Sequence, residues 1–124
     1  MLNTTALAYM GDAVYEVHVR SHVIKSGQVN TDMLHQMTVK YVKAESQAKV
    51  LKAIFNRLSE QEQELVKRAR NRKTISKPKN VDPVSYKLAT AFEALIGHLY
   101  LSENEERLNE VITMAFAEIE KNQS

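Results

Sequence analysis

Two apolar stretches of helical period, LAYMGDAVYE from Leu7 to Glu16 and LATAFEALIGHLYL from Leu88 to Leu101, each carry a carboxylate and a glycine in their interior. Apolar residues recurring every three to four positions predict that both are helices packed against protein. A glycine inside a helix costs about 1 kcal/mol relative to alanine, so Gly11 and Gly97 need a reason. Close approach supplies one. Ala8, Ala89 and Gly97 share faces with the acids, so small residues would let two helix backbones touch and bring Asp12 and Glu93 together. Two buried carboxylates repel, and each costs several kcal/mol to desolvate, which a shared divalent cation would relieve. Oxygen-only ligands of this kind favour Mg²⁺ or Mn²⁺, which keep several waters and can activate one against a phosphodiester. Asp12 and Glu93 are therefore the candidate metal ligands and catalytic residues. The structural alternative is that each acid bonds a neighbouring side chain or faces solvent at a helix end.

The rest of the chain points to the same class. Three glycines and two prolines against 44% apolar residues give too little punctuation for a sandwich or barrel, and the expectation is an all-α fold. A length of 124 residues suits one domain with one core. Cysteine is absent, and no apolar run is long enough for a membrane span or a secretory signal, so a cytoplasmic location is expected.

In chain order, a first helix is expected from about Thr5 to Lys25. Ala6, Met10, Val14, Val17 and Ile24 are placed on one side, with Thr5, Ala8, Tyr9, Asp12, Glu16, Val19 and Val23 opposite, so this helix is expected to run through the middle with protein on both flanks. Gly27 ends it. Asn30 suits the cap of a short helix through Met37, and Val42 to Leu58 reads as a longer amphipathic helix. Ser59 and Glu62 have capping-box spacing, starting a helix toward Arg70. Residues 71 to 81 lack periodicity and read as a loop. Asp82 then caps, and Pro83 opens, the helix carrying Glu93. A last helix from about Glu105 to Glu120 buries Leu108, Val111, Ile112, Ala115 and Ile119.

Charge is unevenly placed. Lys67, Arg68, Arg70, Arg72, Lys73, Lys77 and Lys79 are seven of the 17 basic residues, and no acid lies between Leu65 and Val81. Such a segment on an otherwise acidic body concentrates a polyanion at one place. Three other candidates weigh less. Glu16 shares the face of Asp12 but stands four residues before Arg20, an ordinary ion-pair spacing. His18 and His22 have the spacing of a zinc pair without a third ligand nearby, which favours exposed surface histidines.

With YMGDAVYE and ATAFEALIGHLYL both present, the chain resembles the ribonuclease III family. It is similar nearly end to end to the short bacterial branch, mini-ribonuclease III, through LAYMGDAVYEV, KAESQAKVL, RARNRK, the PKN turn and TAFEALIG. The resemblance implies an all-helical homodimer that cuts double-stranded RNA with Mg²⁺, leaving 5′-phosphate and 3′-hydroxyl ends. In the short branch it also implies maturation of the large-subunit ribosomal RNA precursor. Asp12 matches the aspartate of the Gly-Asp motif, and Glu93 the metal-binding glutamate of the second motif. Longer members have two further glutamates where this chain has Thr5 and Ala8, and an aspartate where it has Thr90, so a sparser site is expected. Asp32 lies near another family acid. No appended double-stranded-RNA-binding domain is expected, which leaves Arg68, Arg70, Arg72, Lys73, Lys77 and Lys79 as the RNA-binding residues. The competing reading is a catalytically silent RNA-binding or scaffold protein of the same fold.

Overall fold

A computed structural model describes residues 3–72 and 80–121. Six α-helices make up this structure: α1 (Thr4–Ile24), α2 (Thr31–Val42), α3 (Ala44–Ile54), α4 (Glu60–Asn71), α5 (Pro83–Leu101) and α6 (Glu105–Glu120). A turn of 3-10 helix, Phe55–Arg57, follows α3, and the described residues include no strand. The all-α expectation holds.

The helix starts follow the capping chemistry written in the sequence. Asn30 Oδ1 accepts from Met33 N at 3.1 Å, and Asp82 Oδ2 accepts from Ser85 N at 3.0 Å with Pro83 in the first turn. Ser59 and Glu62 form the full reciprocal capping box. Gly27, at φ +93°, supplies the left-handed residue that ends the turn after α1.

The central helix is α5, not α1. Ala91, Phe92, Ala94, Leu95 and Ile96 are fully buried, and α1, α3, α4 and α6 all pack on α5. Its sequence is apolar almost all round, as a helix enclosed on every side requires. α1 buries only one stripe: Leu7, Ala8, Gly11, Val14, Tyr15, Val19 and Val23. Tyr9, Val17 and Ile24 stand exposed at 81%, 67% and 57%, so in a single chain α1 does not have protein on both flanks.

The α2–α3 boundary also differs from the sequence reading. α2 runs past Met37 to Val42, and the chain breaks at Lys43, extended at φ −65° and ψ 151°. Side chains beyond the break take up carbonyls at the end of α2. Ser46 Oγ donates to Lys40 O at 2.6 Å, and Gln47 Nε2 donates to Val42 O at 3.0 Å. Neither proline nor glycine marks the place.

Candidate active site

The crossing of α1 and α5 is backbone on backbone. A Cβ at Gly11 would lie 1.7 Å from Glu93 O, and one at Gly97 would lie 1.9 Å from Leu7 O. Only glycine fits at either position, and Ala8 and Ala89 are buried on the same faces. The approach sets Gly11 directly on the Glu93 backbone. Asp12, the next residue, then meets Glu93 side chain to side chain.

The two carboxyl groups form a hydrogen-bonded pair. Asp12 is exposed and Glu93 partly buried, so one oxygen-rich edge opens to solvent while the other reaches inward. Burial pushes the Glu93 carboxyl up to about 8, and the hydrogen bond and negative charge of Asp12 push in the same direction. The Gln47 amide, which reaches Glu93 Oε2 at 3.4 Å, opposes them. A Glu93 carboxyl that keeps its proton to near neutral pH can exchange it for a cation. The donor chemistry, two carboxylates on facing helices, fits a hard divalent ion such as Mg²⁺. Among the described residues no group of three or more His, Cys, Asp or Glu side chains is placed to hold a metal. Thr90 Oγ1 is engaged with Tyr86 O at 3.0 Å.

The lesser candidates fall elsewhere. Glu16 pairs with Arg20 at 2.7 Å, the ordinary helix-surface ion pair. Asp32 sits exposed in the first turn of α2. The histidines are not simple surface residues. His18 is partly buried beside Leu99, Tyr100 and Leu108, and burial lowers its pKa. His22 Nε2 lies 2.6 Å from Glu120 Oε2, stacked on Phe116 and edge-on to Tyr41. That clasp joins α1, α2 and α6, and its partners are too distant in sequence for spacing to reveal.

Arg68, Arg70 and Arg72 are exposed at the end of α4. Arg68 and Arg72 line a surface depression with Asn3 and Thr4, at the start of α1. Thr4 precedes Asp12 by eight residues, about 12 Å along the helix axis. Lys73, Lys77 and Lys79 lie outside the described residues. Lys67 sits over the Phe55 ring at 5.8 Å from its centre.

Comparison with known proteins agrees with this architecture. The family pattern described as "Ribonuclease III domain" matches residues 5–104. The chain is 48% identical over 120 residues to Mini-ribonuclease 3 of Brevibacillus brevis, covering 97% of this chain and 90% of that protein. Mini-ribonuclease 3 of Symbiobacterium thermophilum is 45% identical over 117 residues, covering 94% and 90%. A crystal structure of a protein from Fusobacterium nucleatum superposes with a TM-score of 0.83 at 34% identity, over 92% of this chain and 91% of that one.

Proposed function

Since the chain belongs to the ribonuclease III family, in its mini-ribonuclease III branch, we propose that it is an endoribonuclease that hydrolyses double-stranded RNA with Mg²⁺ held by Asp12 and Glu93. The observation that carries this reading is the carboxyl pair at the glycine crossing, drawn from the two stretches that resemble the family's motifs. A Mg²⁺ held there would supply positive charge for the scissile phosphate and lower the pKa of a water so that it can act as hydroxide, with Mn²⁺ a chemical substitute. Asp12, on the open edge, faces the incoming backbone. Glu93, deprotonated, would hold the ion through an oxygen fixed by burial. Hydrolysis leaves 5′-phosphate and 3′-hydroxyl ends.

The duplex is gripped through phosphates by Arg68, Arg70 and Arg72, with Lys73, Lys77 and Lys79 following in the same basic segment. The substrate proposed is the large-subunit ribosomal RNA precursor, cut in the cytoplasm. No helix of the described residues is long and apolar enough to cross a membrane. A twofold homodimer would present two carboxyl pairs to the two strands. The exposed stripe Tyr9, Ala13 and Val17 on α1 runs beside Asp12 and supports that interface.

Asp12→Asn keeps the shape and removes the charge, so cleavage of a duplex should fall by orders of magnitude in Mg²⁺ while duplex binding persists. Near-normal cutting by Asp12→Asn would falsify the assignment. A lack of cleavage by the unsubstituted protein, with RNA still bound, favours the silent-scaffold reading, for which the two-acid site is the supporting observation. Replacing Arg68, Arg70 and Arg72 by alanine should weaken binding and flatten its log–log salt dependence by somewhat under one unit per phosphate contact, taking the duplex-DNA value. An unchanged slope removes α4 from the interface.

A further inference from the structure

α3 carries one polar side chain at a position where its neighbours in the core are apolar. Gln47 is 2% exposed, on a helix whose other buried residues are Ala48, Val50, Leu51 and Ile54. Its Nε2 is shared between Val42 O, at 3.0 Å, and Glu93 Oε2, at 3.4 Å. Its Oε1 is buried with no protein partner. Reversing the amide would set its oxygen against the Val42 carbonyl, so the carbonyl fixes which end faces Glu93. A second stranded group lies close by. The Tyr15 hydroxyl, on α1, is also buried without a protein partner, and it is near enough to Glu93 for that charge to act on it.

A leucine would fill the Gln47 site without an unpaired acceptor, so on packing grounds alone the amide is a poor choice. Its chemistry suits the carboxyl pair better. An amide donates a hydrogen bond to a carboxylate without adding a positive charge that would compete with a cation. It also avoids a third negative charge beside two acids that already repel.

Resting on the reading of Asp12 and Glu93 as metal ligands, we infer that Gln47 is a positioning residue, anchored on the Val42 carbonyl and holding the Glu93 carboxylate against Asp12. The α2–α3 corner then belongs to the site. The break at Lys43 frees the carbonyl that orients the amide, and the amide orients the acid.

Gln47→Leu and the longer, unbranched Gln47→Met separate this role from simple packing. The readouts are Mg²⁺ binding to RNA-free protein by calorimetry, thermal melting without metal, and the kcat and KM of duplex cleavage. The expected result is a melting temperature within a few degrees of the parent, with a Mg²⁺ Kd about tenfold weaker. kcat should be roughly 10- to 100-fold lower, while KM for the duplex stays within about twofold. If Leu at this position prevents folding, Met carries the same expectation. Mg²⁺ binding and kcat unchanged in a folded variant, with or without a lower melting temperature, overturn the assignment of Gln47 alone. An unsubstituted protein that binds no Mg²⁺ overturns the metal reading of the acid pair, and this inference with it.

Discussion

Without metal, Glu93 keeps its proton in the folded protein up to about pH 8, against 4.5 for an ordinary glutamate, chiefly because burial disfavours its charge. Between those values the unfolded chain has released the proton and the folded chain has not, so the folded state binds more protons and loses stability as pH rises. Urea denaturation without metal should therefore show stability from this group falling between about pH 4.5 and 8, and Glu93→Gln should flatten the fall. An identical pH slope in that variant means Glu93 is not the group responsible. A cation competing for the same oxygens should bind more tightly over the same range as the proton leaves. The two acids could be picked out in the sequence because a charge inside an apolar helical run is conspicuous. Gln47 could not. An uncharged amide in KAESQAKVL carries no such signal, and only the fold turns it inward onto Glu93.

Helix packing makes the site possible at the scale of elements. The crossing of α1 and α5 leaves no room for a methyl group at Gly11 or Gly97, and the atoms in the way are backbone, which cannot swing aside. Gly97→Ala should cost about 3 kcal/mol or more, a drop in melting temperature on the order of 10 °C, because the helices must separate. Mg²⁺ affinity should fall with it, since the separation parts Asp12 from Glu93. Gly97→Ala with unchanged stability would show that the crossing is looser than described. Most helix starts were legible, because a cap is a local agreement between one side chain and N–H groups two or three residues on. The break between α2 and α3 was not. It is held by Ser46 and Gln47 side chains bonding back across it, with no proline or glycine as a signal. Nor was the tie between α4 and α6, where Arg107 grips Glu62 through two hydrogen bonds at 2.9 and 3.0 Å, 45 residues apart.

For the whole molecule, the exposed face of α1 raises the matter of assembly. Tyr9, at 81% exposure, and Val17, at 67%, lie with Ala13 on one face beside Asp12, where burial against a second copy would repay the cost of exposing them. Tyr9→Glu with Val17→Glu should leave the helical fold intact and give a monomer by sedimentation, with cutting of both strands lost; an active monomeric parent at assay concentration would remove the dimer from the mechanism. The apolar period, the caps and the two acid-bearing motifs determined six helices and named the acids, because each depends on contacts within a few residues along one helix. Only the tertiary structure decided that α5 is the centre, that α1 keeps an uncovered stripe, and that Gln47 meets Glu93. Those outcomes depend on which helix faces are turned toward one another, and periodicity gives each helix its faces without giving their partners.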